Sequence, residues 1–284
     1  MCQKSDGTQQ KHYTGNSRCG GEKAFITHGT ETLQYTAALL SYVFGTDCVP
    51  VLLVSSDFPL EDARANGMAN FMRAVEFIKC REGRGVFVSY RNDRNEEADI
   101  YRGTRLLMHQ PYSARLYPLD GVSFHGKVCY NREASMDRME RPDGQELRLT
   151  EDAGNILWIR PCVGMTYPQA GPQVRAVLHD SYHSGTIAVN AGLEEFAGRM
   201  EQAGIPVYLT GASSGEAEYE TVRMYEQYGI RVLPKMSLIA AYCKLWLALS
   251  NDLDVNSIMN TCIAEDIIQE QRGVIRTDEQ SRRD

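Results

Sequence analysis

The sequence predicts an α/β protein built from two parallel-sheet, doubly wound (Rossmann-like) domains. Three observations carry that expectation. Short, β-branched apolar runs alternate along the chain with longer stretches of helical spacing. The runs are apolar on both faces, as strands sandwiched between helices must be. The alternation breaks once, over a densely charged stretch at 131–150, and then resumes, which places an inter-domain connection there.

Residues 1–23 are rich in Gly, Ser, Gln and Lys without any period and read as a disordered lead. Ala24-Phe-Ile-Thr27 is a short strand, His28 to Thr32 a turn, and 33–44 a helix with Leu33, Ala37, Leu40 and Phe44 on one face. An apolar run at 50–55 is the second strand, 61–80 a second helix, and 85–90 a third strand. The stretch 91–130 is less regular and opens with a charged loop. After the connection come strands at 155–159 and 174–178, a helix at 193–203 and a strand at 205–210. A helix at 217–228 stops at Gly229, a good residue just past a helix end, and a strand follows at 230–233. Helices at 238–250 and 255–271 precede a charged tail. The domains expected are 24–130 and 151–270, with lead 1–23 and tail 271–284.

Composition narrows the function. With 284 residues, 43% hydrophobic and 24% charged, the chain can bury a proper core. The net charge of −7 argues against nucleic acid or an anionic membrane surface as partner, since both reward clustered Lys and Arg. The N-terminal residues lack the apolar stretch of a signal peptide, and no spanning run follows, so a cytoplasmic protein is expected. The eight cysteines are scattered without a C-x-x-C pair, the pattern of reduced thiols rather than a metal cage.

The most informative motif is the turn His28-Gly29-Thr30-Glu31-Thr32 between strand and helix. Gly29 allows the backbone to leave the strand sharply. Thr30 and Thr32 then stand at a helix N-terminus, where hydroxyls and N–H groups can meet a small anionic ligand, at the carboxyl end of a strand where open α/β sheets bind ligands. The same pattern also suits a plain Thr cap with an acidic first turn, and spacing alone leaves both readings open.

The run ITHGTETLQYTAALLSYV resembles the second signature of the asparaginase/glutaminase family, an LHGTDT turn followed by a helix. CVPVLLVSSDFPLEDARANGMANFMRAVEFI is similar to the next strand–loop–helix of that family, and GVFVSYRND with IYRGTRL to its following GV.VVFN and YRG.R stretch. The order of elements fits from Ala24 to about Ile268. The resemblance implies hydrolysis of the side-chain amide of L-Asn or L-Gln to the acid and ammonia, with no metal or cofactor. It implies an activated Thr nucleophile from a TGGTI loop, a Thr-Asp-Lys cluster, and a Ser that holds the substrate α-carboxylate. It also implies a homodimer or homotetramer in which one subunit's second domain completes its neighbour's site.

Carried over by position, the turn Thr is Thr30, the candidate catalytic residue, and it also lies against substrate. The family Asp, which binds the substrate's α-amino group, becomes Glu31, with the charge kept and a methylene added. The family Lys falls five residues after the Gly of YRG, on Met108, which has no proton to give or take. His109 is next to it, but on a strand it would face the other way. The TGGTI strand and loop should precede His28, and the 27 residues there are polar; Tyr13-Thr14-Gly15 echoes only a fragment of it. The expected protein is therefore an asparaginase-like amidohydrolase with impaired catalysis. A non-catalytic amino-acid-binding or regulatory module, or a fragment of an active enzyme, are the alternatives; Met108 counts against the fragment, because truncation does not change an internal Lys. Two lesser candidates remain. His179-Asp180-Ser181 with His183-Ser184 lies on the face towards the other domain, and Ser213 to Glu216 opens a helix. Without the first strand, 51–55 is expected to lose a hydrogen-bonding partner, and the first domain to be looser than the second.

Overall fold

The computed structural model describes residues 24–80, 83–93, 96–124, 136–150, 155–211 and 220–268. The first domain holds strands Ala24–Thr27 (β1), Val51–Val54 (β2), Val86–Tyr90 (β3) and Asp99–Arg102 (β4), with helices Leu33–Phe44 (α1) and Gly67–Cys80 (α2). The sheet order is β1-β2-β3-β4, parallel except for β4, which runs antiparallel to β3. The second domain holds Ile156–Ile159 (β5), Ala176–His179 (β6), Val207–Leu209 (β7) and Ile230–Val232 (β8), all parallel and in that order. Its helices are Ala191–Gln202 (α3), Glu220–Gln227 (α4), Leu238–Ser250 (α5) and Val255–Asn260 (α6).

The doubly apolar strands find a layer on each side. Along β2 the pleat sends Val51 and Leu53 towards Leu33 and Ala37 of α1, and Leu52 and Val54 towards Ala74 and Phe77 of α2. In the second sheet Val177, Val207 and Leu209 pack on Phe196 of α3, while Ala176, Leu178 and Tyr208 pack on Ala241, Leu245 and Leu249 of α5. Each fully buried Leu or Val contributes roughly 1.5–3 kcal/mol. The domains join where α1 meets α5: Ala38 and Tyr42 pack against Ile239, Ala240, Cys243 and Leu247. Residues 136–150 run along this joint, with Met139 buried in it and the Asp137 carboxylate accepting from the backbone N–H of Thr46 at 2.6 Å.

Four expectations are corrected. The second helix starts at Gly67 rather than 61, because Asp57 and Asn66 tie the preceding loop into a closed ring: the N–H of Asp57 donates to Asn66 Oδ1 at 3.0 Å and the N–H of Asn66 to Asp57 Oδ1 at 2.9 Å. β4 emerges from the stretch taken as irregular. The last helix stops at Asn260 instead of running to 271. Finally, β2 keeps partners on both sides, β1 and β3, so the expected loss of a hydrogen-bonding partner does not fall on it. Among the described residues the rims are β1 and β4, and β1 has a pattern that alternates half-buried and exposed, with Phe25 leaning on Phe71 at 5.5 Å.

Hydrogen exchange should follow this order rather than a domain-wide difference. The N–H of Ala24 donates to Pro50 O and that of His28 to Val54 O, so the alternate amides of Phe25 and Thr27 point to the rim. These two should exchange fast, while Leu52, Leu53 and Val88 are protected as well as Val207 and Leu209. Fast exchange at Leu52 and Leu53 would contradict the central placement of β2. The expected lead 1–23 and tail 271–284 lie outside the described residues.

Candidate functional site

The turn at 28–32 leaves the carboxyl end of β1 and enters α1, as the motif required. The imidazole of His28 fixes it. Nδ1 lies 2.7 Å from Gly29 O, which can only accept, so Nδ1 carries the proton and Nε2 accepts from the Thr36 hydroxyl at 2.8 Å. Thr30 is half-buried, and among the described residues no hydrogen bond engages its hydroxyl. The exposed Glu31 folds its carboxylate back over Gly29: a Cβ at 29 would sit 3.3 Å from Glu31 Oε2. Gln34 is buried, donates to Glu31 O at 3.3 Å, and leaves its Oε1 without a partner among the described residues. Thr32 begins the helix but its hydroxyl makes no capping bond, so the plain Thr-cap reading does not hold.

The ends of β2 and β3 beside the turn are pinned by two asparagines that sequence reasoning passed over. Asn66 donates to Arg91 O at 2.9 Å, and Asn70 donates to Ser55 O at 2.8 Å while accepting from the N–H of Arg91 at 2.7 Å. Their signal was legible as two Asn one helical turn apart at the start of α2.

Position 108 behaves as its side chain dictates. The thioether of Met108 packs into the apolar joint between the domains with Tyr35, Leu39, Trp158 and Tyr242, and Arg160 Nη1 approaches its sulfur at 3.8 Å. His109 takes the other direction. The expectation that it faces away from the turn is corrected, because 107–110 is not a strand and no pleat applies. Its ring lies 6.0 Å from that of Tyr90, whose hydroxyl is held by Ala114 O at 2.6 Å. Burial lowers the His109 pKa from its ordinary value; a backbone hydrogen bond with Arg115 and the Glu31 carboxylate raise it in part. His109 Nε2 is buried and unpartnered among the described residues. A half-buried imidazole with one free nitrogen thus stands within the field of Glu31, and nothing in the local spacing announced it.

The second-domain candidates are not assembled for catalysis. His179, at the end of β6, is fully buried, with Nδ1 donating to Asp180 O and Nε2 accepting from the Tyr167 hydroxyl at 3.1 Å. Asp180 faces Arg160 at 3.7 Å and accepts from the N–H of Ser181, while Ser184 bonds Thr186. Ser213 to Glu216 and Thr14 lie outside the described residues. Among the described residues no group of three or more His, Cys, Asp or Glu could hold a metal ion, and no helix is long and apolar enough to cross a membrane.

The two histidines set a pH dependence. Burial lowers both His109 and His179, so the unfolded chain binds more protons than the folded one as pH falls below about 6.5. Their contribution is complete above that value and is lost as pH drops through the lowered folded pKa. Calorimetric melting at pH 7.5 and 5.5 should show the acid loss, and His179→Gln should shrink it. An unchanged acid loss in that variant would remove His179 from the account.

Comparison with known proteins places these elements. Residues 21–115 match the family model "Asparaginase, N-terminal". The chain is 26% identical over 266 residues to a glutamyl-tRNA(Gln) amidotransferase subunit of Haloquadratum walsbyi, covering 88% of this chain and 59% of that protein. It is 25% identical over 247 residues to L-asparaginase 1 of Escherichia coli K12, covering 82% of this chain and 70% of that one. The fold is similar to that of the crystal structure of L-asparaginase I from Vibrio cholerae, with TM-score 0.65, 21% identity, and coverage of 87% of this chain and 76% of that chain.

Proposed function

Because the chain belongs to the asparaginase family, we propose that it is an asparaginase-like amidohydrolase relative that binds a small amino acid, L-Asn or L-Gln, at the Thr30–Glu31 turn and hydrolyses it weakly or not at all. Glu31 takes the α-ammonium group and the Thr30 hydroxyl lies against the side-chain amide. The observation that carries the impairment is Met108. Where the resemblance puts a Lys to move a proton and charge the Thr, this chain puts a thioether turned into the joint between the domains. An alcohol with no base beside it is a poor nucleophile near neutral pH.

The test is ammonia release from L-Asn and L-Gln alongside calorimetric binding of L-aspartate. Binding without turnover is expected, with Thr30→Ala and Glu31→Gln weakening the binding. Turnover at about 1 s⁻¹ or more, the low end of ordinary enzymes, would overturn the impairment. Activity that survives Thr30→Ala would remove Thr30 from the chemistry. A second reading follows from the name of the Haloquadratum relative, which is one component of an amidotransferase: a module that holds the amino acid while working with a protein partner. For the chain alone we favour a homodimer or homotetramer in the cytoplasm. Light scattering at micromolar concentration checks the assembly, and a monomer would exclude a site shared between protomers.

A further inference from the structure

The segment 261–268, where a helix was expected, lies instead between the two domains. Ala264 and Glu265 both adopt left-handed backbone, with φ of 50° and 57°. A non-glycine residue reaches this region only where its surroundings hold it there. What holds it is the first domain. The Glu265 carboxylate lies 2.9 Å from Arg102 Nη2 and 3.9 Å from Arg105 Nη2, with Arg102 and Glu265 both almost fully buried. Glu265 O accepts from Arg105 Nε at 3.0 Å, and Ala264 O accepts from the Thr104 hydroxyl at 3.0 Å. One turn of 3-10 helix, Gly103–Arg105, is thus gripped through the two guanidinium groups and the hydroxyl. Immediately downstream, Leu106 O accepts from Ser237 Oγ at 2.5 Å, and the chain then passes to Met108 and His109.

We infer that Glu265 is a positioning residue for the turn site: by holding Arg102, Arg105 and the short helix between them, it sets where 106–109 runs, and so places His109 beside Tyr90 while Met108 is turned into the joint between the domains. The inference rests on the reading of the Thr30–Glu31 turn as a ligand site. Glu265 acts through Arg102 and Arg105. Its effect is relayed along four residues of backbone, which is short enough for a lost grip to shift His109 and too long for Glu265 to act on a ligand directly. Arg105 has a second acceptor in Asp120. Without Glu265 the short helix is therefore drawn towards Asp120, away from its present seat.

The experiment follows the His109 imidazole by NMR titration, with its signal assigned from His109→Gln. In the unaltered chain it titrates below its ordinary value. In Glu265→Gln, which keeps the size and removes the charge, it should move up towards the ordinary value of about 6.5. Thr104→Val, a milder change that removes only the hydroxyl, should move it the same way by less, and it carries the test alone if Glu265→Gln does not fold. Val177→Ala, in the core of the second sheet and remote from the segment, should lower stability and leave His109 where it was. Unchanged titration in both site variants, or an equal shift in Val177→Ala, would overturn the inference. L-Aspartate affinity, measured in the same samples, should fall several-fold in Glu265→Gln. If L-aspartate binds none of the proteins, the ligand reading of the turn fails, yet the titration still decides whether Glu265 places His109. Unaltered affinity beside a moved His109 would overturn the role of Glu265 in the site.

Discussion

Asp266→Ala should lower the unfolding free energy by about 3–5 kcal/mol, the range for removing one partner of a buried ion pair. Asp266 and Lys244 are both fully buried, with Lys244 Nζ 2.7 Å from Asp266 Oδ2. The same carboxylate accepts from the Tyr42 hydroxyl at 2.9 Å and from the N–H of Ile263 at 2.9 Å. Truncation therefore strands an ammonium and loosens two further donors, with Thr261 O the one hydrogen-bond acceptor left to Lys244 among the described residues, at 2.5 Å. Tyr42 belongs to α1 and Lys244 to α5, so the loss falls on the joint between domains. Burial, and then the Asp266 carboxylate, hold the Tyr42 phenol protonated far above its ordinary range, so it stays a donor throughout. Lys244→Met should be milder, because the carboxylate it leaves keeps both of its other donors. Urea unfolding followed by the fluorescence of Trp158 and Trp246 measures both. Lys244→Met proving the more damaging would refute this ordering.

Gly103→Ala should cost about 3 kcal/mol, the upper end for overpacking a dense site. The backbone at 103 passes directly over α1. A Cβ there would meet Ser41 Oγ at 2.6 Å and Ala37 O at 2.8 Å. The hydroxyl could turn, but it is itself bound to Ala37 O at 2.7 Å, and the carbonyl belongs to mid-helix backbone. The new methyl group can fit only if α1 and the short helix separate, and α1 begins at the turn that carries Thr30 and Glu31. The contrast is Gly198 inside α3, where a Cβ meets nothing within 4 Å. There Gly→Ala should stabilise by roughly 0.5–1 kcal/mol through helix propensity alone. Melting temperatures of the two variants should move in opposite directions; movement in the same direction would show that close approach is not what position 103 requires.

These two positions show how far local sequence reached. The strands and helices from β1 to β3 were legible because each is a short apolar run or a helical stripe, and both depend on neighbours in sequence. The glycine of YRG was visible as part of a resemblance, while its reason, the carbonyl of Ala37 packed above it, is set by tertiary packing. The helix drawn through 255–271 failed for the same cause. The spacing there is compatible with a helix, but Asp266 folds back onto the N–H of Ile263 and binds Lys244, and Glu265 leaves for Arg102. Partners so distant in sequence cannot be read from periodicity. The turn that carries Thr30 and Glu31 could be read because a turn at the end of a strand is a local event. His109 could not, because its direction depends on an irregular stretch anchored by residues of the other domain.

The grip of 264–265 on 102–105 also has a meaning in time. The Thr104 hydroxyl and its acceptor Ala264 O are 160 residues apart. At a synthesis rate of about 5–20 residues per second, that separation amounts to roughly 8–32 s on the ribosome. Throughout that interval the first domain has its own sheet and helices to hand, while Arg102 lacks the carboxylate that buries it. The newborn first domain thus waits for a segment made long after it before Glu265 reaches Arg102 and Ala264 O reaches the Thr104 hydroxyl.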